Sequence, residues 1–258
     1  MFEISGEVHT PITLPFDRPF GTMTDPNSNW QQLLEVIADS GKHVVLNLSN
    51  CQMLPDGIFN PNPTVSTGKN LIIEITLPDA AETIPDGSNA STQAFRNFSQ
   101  LRSVSGKNIK TIGNWAFNGC FNLTTVSFPL VTSIRDSFWA CSSLTSISLP
   151  SVTSIGQNAF ALTGNTPLTI TLGPNAPTLG WDIFDNVTSK TVTVRIPNGA
   201  TGYSPATSPF NGAQATVCDT DTAANWGNGF RGGGWTESAF EIVGTVNTGI
   251  TLHIVRIP

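Results

Sequence analysis

Apolar residues recur along the middle of the chain in a fixed order, at a spacing far longer than a helical turn or a strand pleat. Three segments can be written under one another: IKTIGNWAFNGCFNLTTVSF from Ile109, VTSIRDSFWACSSLTSISLP from Val131 and VTSIGQNAFALTGNTPLTITL from Val152. Phe95, Phe117, Phe138, Phe160 and Phe184 follow at 22, 21, 22 and 24 residues, and Ile112, Ile134, Ile155 and Leu179 at 22, 21 and 24. Within each unit a stretch such as Leu-Thr-Thr-Val-Ser-Phe alternates, so Val126 and Phe128 face one way and Thr125 and Ser127 the other. Pro129 and Pro150 end the strand, because proline has no N–H to give to a ladder. The Ile-x-x-x-x-Phe portion turns back across the other side and drops its ring into the core.

A period of 20–29 residues is the leucine-rich-repeat range, in which each rung contributes one strand and buries its apolar face only by stacking on its neighbours. The predicted fold is therefore an α+β repeat protein, a solenoid with one short strand per rung. Seven strand centres are expected at Leu46–Leu48, Ile75–Leu77, Val104, Val126, Ile147, Ile170–Leu172 and Val194–Ile196. Ser28-Asn29-Trp30-Gln31 fits a capping box, and Trp30, Leu33, Leu34 and Ile37 at helical spacing predict a helix ending at Gly41 that covers the first rung. The last sixty residues are rich in Gly, Thr and Asn and close with the alternating segment Ile250–Ile257, predicting a β-rich cap. The organisation expected is an N-terminal extension at 1–27, the solenoid with its helical cap (28–40) over 28–197, and a C-terminal cap at 198–258.

These residues resemble the BspA-like leucine-rich repeat family of bacterial surface proteins, whose unit is roughly I-g-x-x-A-F-x-x-C-x-x-L-t-s-v-x-i-P. Ala116-Phe117, Cys120, Leu123, Val126 and Pro129 match it in order, and Ala159-Phe160 repeats part of it. Phe98 and Thr163 stand where the cysteine belongs and Lys107 where the proline does. The resemblance implies an exported or surface-anchored, non-enzymatic module for adhesion or host-protein binding, with a host or bacterial surface protein as partner. Residues 1–26 show no basic start followed by an apolar run, so export is implied by the resemblance alone.

Composition narrows the partner. Only 12% of residues are charged, with 12 Lys+Arg against 18 Asp+Glu, whereas 32 Thr, 23 Ser and 22 Asn make a polar surface almost without charge. Such a surface lacks the clustered cations that nucleic acid demands, and no run of 18 apolar residues spans a membrane. The outward strand positions form a ladder: Val45/Asn47, Glu74/Thr76, Ser103/Ser105, Thr125/Ser127, Ser146/Ser148, Thr169/Thr171 and Thr193/Arg195. Its middle is all hydroxyl. Ser103, Ser105, Thr125, Ser127, Ser146, Ser148, Thr169 and Thr171 are the candidate binding residues, on a face expected to be concave.

Other chemistry is thin. Cys120 and Cys141 sit one rung apart, open to either a disulfide or a ladder of buried thiols. Trp226-Gly-Asn-Gly-Phe-Arg-Gly-Gly-Gly-Trp235 holds a formal G-x-G-x-x-G, but a nucleotide loop needs a following helix that three glycines and Trp235 oppose. The same aromatics offer an alternative reading as a glycan-binding site in the C-terminal cap. Asp25-Pro-Asn27-Ser-Asn29 begins like a calcium loop and then places Trp30 where glycine is required. His9, His43 and His253 are scattered, and no hydrolase motif appears. No metal, cofactor or catalytic residue is expected.

Overall fold

The computed structural model describes residues 3–6, 29–51, 54, 67–86, 94–164, 166–180, 183–184, 191–201, 232–237, 241–246 and 251–257. Sixteen strands and one helix of several turns are defined there, with a further helical turn at 67–69. Seven strands are the rungs' long edges: β2 (Val44–Asn47), β3 (Ile72–Thr76), β5 (Ser103–Ser105), β7 (Thr125–Ser127), β9 (Ser146–Leu149), β11 (Leu168–Leu172) and β13 (Thr191–Pro197). They pair parallel in chain order, and Leu46, Ile75, Val104, Val126, Ile147, Ile170 and Val194 stand opposite one another along the whole row. All seven predicted strand centres thus occupy a single register position.

Among the described residues, the five rungs from β3 to β11 each have a second strand that the alternation did not announce. β4 (Thr83–Ile84), β6 (Thr111–Ile112), β8 (Ser133–Ile134), β10 (Ser154–Ile155) and β12 (Thr178–Leu179) form a separate five-stranded parallel sheet. Two residues are too few for an alternating pattern to show. What identifies the position is its apolar residue, Ile84, Ile112, Ile134, Ile155 or Leu179, which is buried in every case.

A loop then leads from the short strand to the next long one and inserts the phenylalanine. Phe95, Phe117, Phe138 and Phe160 are fully buried and Phe184 nearly so. Their rings stack in one column with successive centroids 5.1, 5.4, 5.9 and 5.7 Å apart. These loops bond from rung to rung as well. Phe117 N–H donates to the Ser137 carbonyl at 2.9 Å and Phe138 N–H to that of Ala159 at 3.1 Å. Every side of the rung is therefore laced to the next by backbone hydrogen bonds, and the interior holds an apolar column.

The cap elements follow from local chemistry. α1 (Asn29–Ser40) buries Leu33, Leu34 and Ile37. Gly41 ends it at φ 61°, a left-handed conformation that glycine adopts without penalty, and its N–H donates to the Ala38 carbonyl. Gly68 lies so close to the Leu34 carbonyl that a Cβ there would clash with backbone, so only glycine seats the helix on the first rung. β1 (Glu3–Gly6) extends the long sheet antiparallel to β2. At the far end β16 (Thr251–Ile257) pairs parallel with β13 over seven residues. β15 (Glu241–Val246) and β14 (Gly232–Glu237) then add antiparallel strands. The closing segment read as strand from its alternation is strand.

Candidate functional site

The outward ladder exists in the predicted register. Ser103 stands opposite Thr125, then Ser146, then Thr169; Ser105 stands opposite Ser127, then Ser148, then Thr171. Glu74 and Thr76 continue the rows at one end, Thr193 and Arg195 at the other. Thr125, Ser127, Ser146 and Ser148 are exposed, while Ser103, Ser105, Thr169 and Thr171 are half-buried. At roughly 4.8 Å between strands, the four uncharged rungs span about 14 Å.

What distinguishes these hydroxyls is how little they bond to the protein itself. Elsewhere on the rungs, Ser and Thr side chains tie one rung to the one before. Thr124 Oγ1 donates to the Arg102 carbonyl at 2.9 Å, Thr132 Oγ1 to that of Lys110 at 3.2 Å, Ser151 Oγ to that of Pro129 at 2.9 Å and Thr153 Oγ1 to that of Thr132 at 3.0 Å. Asn122 Nδ2 does the same to the Ser99 carbonyl at 2.7 Å. Among the eight ladder residues one such side-chain bond is present among the described residues, Ser105 Oγ to Thr76 Oγ1 at 3.4 Å. The high Ser/Thr/Asn content thus divides into a structural set at the rung edges and an uncommitted set on the long-sheet face.

Cys120 and Cys141 are free, fully buried thiols. Cys120 Sγ donates to the Phe95 carbonyl at 3.0 Å and Cys141 Sγ to the Phe117 carbonyl at 3.2 Å, each reaching the preceding rung. Burial pushes the Cys120 thiol up to about 12 and the Cys141 thiol well above its ordinary value. Neither supplies a nucleophile, and the open choice between bridge and thiol ladder resolves to thiols. Thr163 takes the place after Cys141 in this column, buried and donating its hydroxyl to the Phe160 carbonyl at 2.7 Å.

Of the glycan candidate in the C-terminal cap, residues 226–231 lie outside the described residues. Trp235 falls within β14, where only the backbone is described. The Asp25–Asn29 segment is outside them up to Asn29. Among the described residues no group of three or more His, Cys, Asp or Glu is placed to hold a metal, and no helix is long and apolar enough to cross a membrane.

The sequence reading passed over one cluster. Trp115 and Trp139 lie two residues before one core phenylalanine and one after the next, so the repeat alignment puts them in different columns. Folding brings their rings to 6.0 Å between centroids, edge to face. Writing the columns two before and one after each core phenylalanine as neighbouring rows would have shown the pair.

Residues 68–193 match the family model of a BspA type leucine rich repeat region, in six copies. No curated protein and no solved structure matches the chain. The match begins after β2, yet β2 pairs in register with β3, so the solenoid extends one rung beyond it.

Proposed function

From a BspA-type leucine-rich-repeat region spanning residues 68–193, we propose that the protein is a non-enzymatic, surface-located or secreted binding module. It engages a protein partner through the hydroxyl rows of the long sheet, in an arrangement of extension (1–27), solenoid (28–197) and cap (198–258). Repeat regions of this family are in general protein-interaction scaffolds associated with the bacterial surface. The observation that carries the reading is the uncommitted ladder. Thr125, Ser127, Ser146 and Ser148 are exposed in a repeating array, whereas hydroxyls at the rung edges are bonded inward. A partner laid across β5, β7, β9 and β11 meets donors and acceptors in two rows, without first displacing internal bonds or desolvating charge.

The experiment is an array of extracellular-matrix and bacterial surface proteins probed with the chain and with its Ser127→Arg/Ser148→Arg variant. Two guanidinium groups in the middle of the face abolish binding by bulk and unpaired charge while the melting temperature stays within a degree or two. Retained binding by the double variant refutes the ladder as the site.

A further inference from the structure

The chain holds Asn-Gly pairs at Asn118, Asn198, Asn211 and Asn228. The last two lie outside the described residues, and the first two sit in opposite surroundings. Asn118 is half-buried and Gly119 buried, in a loop of the solenoid. Gly119 N–H donates to the Trp139 carbonyl at 3.0 Å, Asn118 N–H to that of Trp115 at 3.1 Å, and the Asn118 carbonyl accepts from Asn97 N–H at 2.8 Å. A Cβ on Gly119 would collide with Asn97 Oδ1, so the loop is closed on that side too.

Asn198 and Gly199 are both exposed, in the turn that leaves β13. Ala200 N–H donates to the Pro197 carbonyl at 3.1 Å and Gly199 sits at φ 78°, which makes Pro197–Ala200 a type II turn with Gly199 as its third residue. The amides on either side are bonded outward: Asn198 N–H donates to the Ile257 carbonyl at 2.9 Å and Thr201 N–H to that of Pro174 at 2.8 Å. Gly199 N–H is the one amide from 198 to 201 without an acceptor among the described residues. Nothing lies within 4 Å of the place a Cβ would take on Gly199, and the turn is open to water.

We propose that Asn198 is a site of spontaneous covalent modification, at which the Asn198–Gly199 turn cyclises and reopens as isoaspartate or aspartate while Asn118 is protected. A base in solvent removes the Gly199 amide proton, and the nitrogen attacks the side-chain carbonyl carbon of Asn198. A C–N bond forms, the bond to Nδ2 breaks, and ammonia leaves after taking up a proton, which closes a five-membered succinimide. Water then adds to a ring carbonyl. Opening at the side-chain carbonyl gives aspartate, and opening at the main-chain carbonyl gives isoaspartate. The sum is amide plus water giving carboxylate plus ammonium, so water is the only co-reactant.

Three features favour Asn198 over Asn118. Both pairs have glycine as the attacking residue, which lacks the Cβ that hinders ring closure. An amide bonded to a carbonyl keeps its proton and its place, as that of Gly119 does and that of Gly199 does not. Exposure admits the base and the water to one turn and burial keeps them from the other. Isoaspartate threads the main chain through Cβ, so the turn gains one main-chain atom as well as a carboxylate. Both changes fall where Asn198 N–H closes the pairing of β13 with β16, at the joint between the solenoid and its C-terminal strands.

Peptide mapping by mass spectrometry tests this on the full chain, held native between pH 7 and 9 and, in parallel, in denaturant. Chymotryptic cleavage after Tyr203 and Phe210 separates Asn198 from Asn211 and Asn228. A converted peptide gains about one dalton, and an isoaspartate-specific methyltransferase with labelled S-adenosylmethionine counts the isoaspartate. In the native chain the Asn198 peptide converts at least tenfold faster than the Asn118 peptide, at a rate that rises with pH. In denaturant the two rates converge, because both pairs are Asn-Gly. Asn198→Gln, which would have to close a six-membered ring, removes the product from that peptide and leaves Asn118 as slow as before. An Asn198 peptide that stays unconverted in the native chain while the denatured chain converts overturns the proposal. So does native conversion of Asn118 as fast as that of Asn198.

Discussion

Phe117 and Phe138 lie with their ring planes 1° from parallel and their centroids 5.4 Å apart, each fully buried and each contributed by a different rung. The pair is the centre of a five-ring column, so each interior member holds two rung interfaces at once. Phe138→Ala is expected to destabilise the fold by about 3–5 kcal/mol, because it leaves a ring-sized cavity between Phe117 and Phe160 that the laced backbone cannot close. Chemical denaturation measures it, and Phe138→Leu recovers part of the loss.

Leu162 carries the opposite expectation. It occupies the position that Gly119 fills one rung pair earlier, at φ 53° and 40% exposed, so it is strained and only partly compensated by burial. Leu162→Gly is expected to stabilise the protein by about 0.5–1 kcal/mol, read as a raised denaturation midpoint with an unchanged slope.

The two hydroxyl sets should separate in stability measurements. Thr132→Val removes the bond to the Lys110 carbonyl and Thr153→Val the bond to that of Thr132, and each should cost about 0.5–1 kcal/mol. Ser127→Ala and Ser148→Ala break no internal side-chain bond and should stay within about 0.5 kcal/mol of wild type. Equal losses in both sets would remove the distinction on which the binding face rests.

The buried thiols set the alkaline limit. Cys120 holds its proton up to about pH 12, whereas the same thiol in an unfolded chain loses it near 9. Between those values the folded state binds more protons than the unfolded one, so stability falls as pH rises. The slope is up to about 1.4 kcal/mol per pH unit for a thiol, and Cys141, shifted the same way, adds to it. The contribution is intact below about pH 9. Unfolding titrations from pH 8 to 11 on wild type and Cys120→Ala/Cys141→Ala measure it, with a shallower slope in the variant. In the native protein at pH 8, iodoacetamide should leave both thiols unmodified.

The long strands were legible because their alternation runs over three or more residues and repeats. Val126 and Ile147 mark the same register position in the sequence and in the sheet. The short strands were hidden because two residues carry no period. Ile134 reads equally well as a core residue in a turn, and only its pairing with Ile112 and Ile155 makes it a strand. The hydroxyl ladder could be placed from sequence, but its separation from the edge hydroxyls could not. Whether Thr124 or Thr125 bonds inward depends on which neighbouring carbonyl lies within reach. The Trp115–Trp139 pair was illegible for a related reason: its members occupy different columns of the repeat and meet only through the offset between rungs.

Because the central rungs, from β3 to β11, bond to one another through the long sheet, the short sheet and the phenylalanine loops alike, one of these rung interfaces is nearly interchangeable with another. The span of the molecule is then set by a copy number. Adding or removing 21 or 22 residues between equivalent prolines such as Pro129 and Pro150 lengthens or shortens the face by one strand spacing, about 4.8 Å. The chain works as a ruler graduated in rungs, whose reach toward a partner can change without any new packing problem being solved.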